Sequence, residues 1–293
     1  MHMKNILFCI MAVFCLAGCK TTVADVEIGP YTISVIDNNV YHIQDYNSTY
    51  PAGETFDADG NKTHFNNCSD MYLIVGKKEA LLVDLSNNIK WADNAAESLR
   101  QLVSERIEGK PLTITFTHNH GDHADRLVAD LFIEAGKPVI VPTNIWPDDK
   151  VIQHLRSDEI IDKEIALKNG KKLQVKILPG HQSELMNNIY VVTTEEKKTV
   201  VQTGDQYHKE DINWLMNIHQ KIPCPDALLV NCWTNRMNDL IEGFAPKFVI
   251  TGHENEMGHT IDHREAFWLT FQKMEEIKRN YVVMGWGEWF LCK

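Results

Sequence analysis

Residues 115–125 read Thr-Phe-Thr-His-Asn-His-Gly-Asp-His-Ala-Asp, which sets His118, His120, Asp122 and His123 side by side. Neutral imidazoles and carboxylates are good ligands for zinc and other borderline divalent cations. In an extended stretch, side chains two residues apart project to the same side, so His118 and His120 aim at one point. A cation held there polarises a carbonyl and activates a bound water, so no Ser or Cys nucleophile is required. A His/Asp run alone can bind metal adventitiously at a surface, and partners elsewhere in the chain decide its meaning.

Those partners depend on the elements that position them, and the mature chain reads as strands alternating with helices. Residues 81–83 form a short apolar run ending at Asp84, and Trp91, Ala95, Leu99, Leu102, Val103 and Ile107 recur at helical spacing before Gly109. Residues 112–116 read as a buried strand ending at Thr117-His118. Residues 124–135 read as a helix closed by Gly136, and 138–141 as a strand. Residues 164–178 read as a hairpin turning at Asn169-Gly170, whose second arm runs into Pro179-Gly180-His181. Residues 189–193 and 199–203 form a second hairpin, ending at Gly204-Asp205. Strands at 227–230 and 248–251 follow, the latter ending at Gly252-His253, and then a helix over about 262–278. Asp84, His118, His181, Asp205 and His253 therefore all stand at strand ends, where α/β proteins gather ligand sites. Gly180, Gly204 and Gly252 each precede one of them, and glycine tolerates the backbone angles that swing a side chain inward.

With Asp84, His118-Asn119-His120-Gly121-Asp122-His123, His181, Asp205 and His253 in this order, the chain resembles the metallo-β-lactamase superfamily from about residue 28 to the C-terminus. The resemblance implies an α/β fold, a four-layer αβ/βα sandwich with the metals at one edge. It implies that His118, His120 and His181 hold a first metal, that Asp122, His123 and His253 hold a second, and that Asp205 bridges them. Asp84 would orient the ligand loop through hydrogen bonds, and Asp122 would also orient the attacking hydroxide. The implied cofactor is two Zn(2+), and the implied activity is hydrolysis of an acyl-type bond (ester, lactone, thioester or amide) in a small-molecule substrate. The bridging Asp at 205 is similar to glyoxalase II, lactonases and phosphodiesterases of this fold rather than to the β-lactamases with Cys there. His at 120, not Glu, departs from the diiron oxygen-reducing branch. Gln182-Ser183-Glu184-Leu185 departs from the frequent Gly/Ser-rich continuation and bears on the pocket wall. A mononuclear iron oxidoreductase of the persulfide dioxygenase type, with one Fe, and a phosphodiesterase are the alternatives.

The rest of the sequence frames these expectations. At 293 residues with 44% hydrophobic content, no linker and no fixed-period repeat, one domain over 28–293 is expected. The net charge of −11 weighs against nucleic acid, although two cations would reverse the local field. Residues 1–18 form a basic start, a short apolar run and Leu16-Ala17-Gly18 before Cys19, which resembles a bacterial lipobox. Cleavage before Cys19 and lipid on its thiol would anchor the chain in the bacterial cell envelope, facing the periplasm or the cell surface, with 19–27 as tether. Cys68, Cys224, Cys232 and Cys292 then remain, with their pairing open. Tyr207, Trp233, Asn235 and His259 are candidates to line the substrate pocket, with core packing an equal rival for the aromatics. His259 and His263 fit polar capping and surface contact better than substrate contact, and the polar stretch 47–67 reads as a loop insert.

Overall fold

In the computed structural model, residues 22–23, 31–37, 39–46, 68–86, 94–142, 145–155, 161–166, 172–253, 270–283 and 288–289 are described. The signal at 1–18, Cys19, the insert at 47–67, His259, His263 and Cys292 lie outside them, as does the side chain of Cys68. A short strand β1 (Thr22–Val23), inside the stretch read as tether, pairs antiparallel with the last strand, Glu288–Trp289.

The first sheet opens with the meander β2 (Tyr31–Asp37), β3 (Val40–Tyr46) and β4 (Cys68–Val75), continued by β5 (Ala80–Val83). Helix α1 (Ala95–Ile107) leads to β6 (Leu112–Thr115), helix α2 (Arg126–Glu134) to β7 (Val139–Pro142), and β8 (Ile152–Leu155) closes the sheet. Neighbours are antiparallel from β2 to β5 and parallel from β5 to β8. The second sheet repeats this plan with β9 (Ile161–Ala166), β10 (Lys172–Gln182), β11 (Leu185–Thr193) and β12 (Thr199–Gln202) as the antiparallel part. Helix α3 (Lys209–Leu215), β13 (Ala227–Asn231), helix α4 (Met237–Phe244), β14 (Phe248–Gly252) and β15 (Asn280–Val282) form the parallel part, and Glu288–Trp289 is β16. The two halves thus share one topology, a repeat that no fixed sequence period announces.

Three apolar cores separate four layers. Alternation along the strands sends Leu73, Val75 and Leu82 to one face, where they meet Leu99, Val103, Val128 and Phe132 of α1 and α2. Tyr72, Ile74, Leu81 and Val83 point the other way, onto Val175, Ile177, Tyr190 and Leu229 of the second sheet. The outer face of that sheet, with Val191, Val201 and Leu228, packs on Leu215, Leu240, Ile241 and Phe244. This is the αβ/βα sandwich expected from the sequence.

Differences in detail have local causes. Helix α2 starts at Arg126 rather than 124, because the Asp125 carboxylate caps it by accepting from Val128 N at 3.0 Å. The expected hairpin at 189–203 is preceded by a longer one. β10 and β11 pair through Gln182↔Leu185, so Ser183-Glu184 is a two-residue turn with Ser183 at φ 49. The last helix stops at Met274, short of Lys278, where the chain turns to enter β15. Among the described residues no helix is long and apolar enough to cross a membrane. Cys224 is exposed, and Cys232 is buried with its Sγ donating to His253 O at 3.3 Å.

The sheets are tied together behind the site by Tyr190. Its hydroxyl donates to Phe116 O at 2.7 Å, accepts from Asn188 Nδ2 at 3.1 Å and lies 2.8 Å from Thr115 Oγ1. Tyr190→Phe leaves these buried groups short of a partner, and it is expected to cost about 1–3 kcal/mol in urea denaturation.

Candidate metal centre

The site lies along one edge, where strands of both sheets end. Asp84 follows β5, the His118–His123 loop follows β6, His181 stands near the end of β10, Asp205 follows β12 and His253 follows β14. The loop is clamped to Asp84's neighbour: Leu85 N donates to His123 O at 2.9 Å and Asp125 N to Leu85 O at 3.0 Å.

Asp84, which braces the ligand loop, and the candidate ligand His253 adopt left-handed backbone without being glycine, at φ 68 and φ 62. Such residues cost of order 1–3 kcal/mol and cluster at functional sites. The expectation that the preceding glycines supply the unusual angles holds at Gly204, with φ 54. Gly252 has no positive φ; it is needed because a Cβ there would lie 2.0 Å from Asp70 Oδ2, a buried carboxylate bonded to His42 Nε2 at 2.8 Å. Gly180 likewise lacks a positive φ.

Hydrogen bonds fix which imidazole nitrogen is presented. The buried Asp84 carboxylate accepts from Thr117 N at 2.7 Å, Thr117 Oγ1 at 2.8 Å and His123 Nδ1 at 2.9 Å. Thr117 spends its hydroxyl proton on Asp84, so Oγ1 accepts from His118 Nδ1 at 2.9 Å. His181 Nδ1 faces Asp211 Oδ2 at 3.1 Å and Oδ1 at 3.3 Å. In each of these rings the hydrogen bond engages Nδ1, so Nε2 is the nitrogen left to face a metal, the arrangement of metal-binding histidines.

The lone pairs converge on carboxylates. Ligand atoms of His118, His123 and Asp205 lie within 4.8 Å of one another, as do those of Asp122, His123 and His253. Asp205 spans the two groups. Its Oδ2 is 3.6 Å from His118 Nε2, and its Oδ1 is 3.3 Å from His123 Nε2 and 3.4 Å from His253 Nε2. Asp122 Oδ2 stands 3.5 and 3.6 Å from the same two nitrogens of His123 and His253. His123 Nε2 and His253 Nε2 are only 2.9 Å apart. Buried lone pairs this close repel unless a proton or cation lies between them, and the donor types suit zinc.

Charge compensation follows the same logic. Burial, reinforced by the charge on His123, holds His118 well below its ordinary value, so it stays neutral. Burial also disfavours charge on His123, but Asp205 and Asp122 beside it raise it well above the ordinary value. Burial pushes Asp205 up, yet His123 and His253 outweigh it and hold the carboxyl below the usual range. Burial dominates at Asp84 and raises its carboxyl. A divalent cation displacing the His123 proton would take over compensation of Asp205.

His120 and His181 fall outside both groups. His120 is exposed, with Nδ1 3.2 Å from His118 Nε2, as its same-side spacing requires. His181 is half-buried against Asp211. Tyr207 and Trp233 line a cavity of about 570 Å³ together with His120 and the hairpin tip 182–185. Asn235 instead donates from Nδ2 to Tyr207 O at 3.3 Å, bracing that wall.

Sequence reasoning missed the residues that hold Asp205. Asn231 Nδ2 donates to its Oδ1 at 2.8 Å and Gln182 Nε2 to its Oδ2 at 3.0 Å, while its own N–H donates to Asn187 Oδ1 at 3.1 Å. The strand-end rule that singled out Asp205 also selects Asn231, the last residue of β13. Asp211, on α3, carries no comparable signal.

No family model and no curated protein matches the chain. Solved structures similar to it include the DIM-1 metallo-beta-lactamase exposed to ceftazidime, 14% identical with a TM-score of 0.45, covering 84% of this chain and 99% of that one. A metallo-beta-lactamase from Pontibacter korlensis is 15% identical with a TM-score of 0.46, over 84% of this chain and 99% of the other. The FIM-1 metallo-beta-lactamase from Pseudomonas aeruginosa, in its mono-zinc form, is 17% identical with a TM-score of 0.43, over 85% and 96%. The fold itself is carried by the chain's own three cores and strand registers: it is a four-layer αβ/βα sandwich with a His/Asp set at its strand ends.

Proposed function

We propose that the chain is a dinuclear zinc-dependent hydrolase of the metallo-β-lactamase superfamily that cleaves an acyl-type bond in a small molecule. The observation that carries this reading is the locking of His118, His123 and His181 through Nδ1, which leaves Nε2 of each as a ligand. His118, His120 and His181 would hold one zinc, Asp122, His123 and His253 the other, with Asp205 shared. When bound there, zinc supplies Lewis acidity toward a carbonyl and lowers the pKa of water. Asp122, the most exposed acid of the group, orients the attacking water. Gln182 and Asn231 hold the Asp205 carboxylate in place, and the adjoining cavity seats the acyl substrate beside His120.

Lipid on Cys19 would keep the enzyme at the bacterial envelope. The test of the activity is turnover of a panel of esters, lactones, thioesters and amides by the zinc-loaded chain. Hydrolysis abolished by chelation and restored by zinc supports the reading, and no turnover across the panel contradicts it. Asp211 is assigned to position His181. Asp211→Ala is therefore expected to weaken zinc binding about 10–100-fold in chelator competition, and Asp211→Asn, which keeps an acceptor, should recover part of it.

A further inference from the structure

We infer that the cavity beside the metal centre selects a secondary amide that bears a flat apolar group and no negative charge, an inference that rests on the hydrolase reading above. The flat group has a place to sit. Tyr207 and Trp233 form one wall, their rings 5.6 Å apart and inclined at 55°, and Trp233 meets the His253 ring edge-on at 5.9 Å. A planar substituent on this wall therefore lies directly beside the ligand cluster. Leu185 adds apolar surface from the hairpin tip.

The amide N–H has an acceptor. Asp205 takes a hydrogen bond from Gln182 Nε2, and a carboxylate can only accept, so the orientation of the Gln182 amide is fixed. Its Oε1 is buried and has no hydrogen-bond partner among the described residues, and since Gln182 lines the cavity a small shift of its side chain brings this oxygen to a substrate donor. Such an oxygen costs free energy until a donor reaches it, and a substrate N–H supplies one where an ester oxygen cannot.

Charge selection comes from Glu184. It stands exposed at the turn, and no Lys or Arg is among the described lining residues. An anionic substituent directed at the hairpin tip, away from the metals, would meet this carboxylate with no lining cation beside it. A cationic one would meet both Glu184 and the faces of Tyr207 and Trp233, which attract cations. In the reaction, water adds its oxygen to the amide carbonyl carbon. The C–N bond then breaks, the proton passes to the departing nitrogen, and a carboxylic acid and an amine are released.

The experiment uses phenylacetanilides that differ only in the para substituent of the anilide ring: trimethylammonium, hydrogen or carboxylate. The N-methyl derivative of the neutral compound is the fourth probe. Binding to the zinc-loaded chain is read by calorimetry, and hydrolysis by release of the amine. The cationic and neutral amides are expected to bind about tenfold tighter than the carboxylate. N-methylation should weaken binding about three- to tenfold. Glu184→Gln should narrow the gap to the carboxylate, and Trp233→Leu should weaken every probe. Binding of the carboxylate as tight as the others, or indifference to N-methylation, overturns the inference even if all are hydrolysed. The expected binding order without hydrolysis contradicts the hydrolase reading and leaves the selectivity standing. Neither binding nor hydrolysis overturns both.

Discussion

Asp205→Ala is expected to abolish retention of both metals and to lower turnover by at least about 10³-fold, the scale of losing one preorganised electrostatic partner. The reason is its double contact. One carboxylate oxygen faces His118 Nε2, and the other faces His123 and His253 Nε2. Without it, neither group of donors keeps a carboxylate in common with the other, and Gln182 and Asn231 lose the acceptor they share. Asp205→Asn separates charge from shape: it preserves volume and an acceptor but not the negative charge, so it too should lose metal while melting close to the metal-free parent. Metal content after dialysis, read beside a thermal melt, checks both variants. Full metal retention by Asp205→Asn would remove this carboxylate from the centre.

Asp84→Ala should produce the largest stability loss, about 3–5 kcal/mol in the metal-free chain. The side chain is fully buried and is the acceptor for Thr117 N, Thr117 Oγ1 and His123 Nδ1. Each buried donor left without an acceptor costs about 1–3 kcal/mol. Part of the loss is offset, because burial of the Asp84 carboxylate is itself unfavourable and raises its pKa. The variant should also release the His123 ring and unlock the His118 tautomer through Thr117, so metal affinity falls with stability. Guanidinium denaturation of the metal-free protein measures the first effect and chelator competition the second. A change below about 1 kcal/mol would show that these hydrogen bonds are replaced by water.

Much of this site is legible in sequence because its ligands obey a positional rule. Asp84, His118, Asp205 and His253 each come at the end of a buried strand, and these strands are marked by short runs of apolar and β-branched residues that the structure places where expected. The four layers follow from alternation within those strands, as Leu73 and Tyr72 illustrate by facing opposite cores. Other features follow no such rule. Asp211 reaches His181 only because α3 packs beside β10, a tertiary relation with no periodic trace. Ser183 takes a positive φ usually given to Gly or Asn, so the β10–β11 turn and the first half of β11 carry no turn signal. Gly252 suggests conformational freedom in the sequence, whereas its lack of a side chain makes room for Asp70 from the other sheet. The repeated topology of the two sheets is likewise a matter of pairing order rather than of residue identity.

The decisive measurement is metal identity and stoichiometry in the chain purified without added metal, by elemental analysis together with native mass spectrometry. Two zinc ions per chain are expected, with Asp205 facing imidazole nitrogens of both proposed ligand sets. One iron per chain, retained when Asp205 is replaced, would contradict the dinuclear centre and point instead to oxygen-dependent chemistry at His118, His120 and His181.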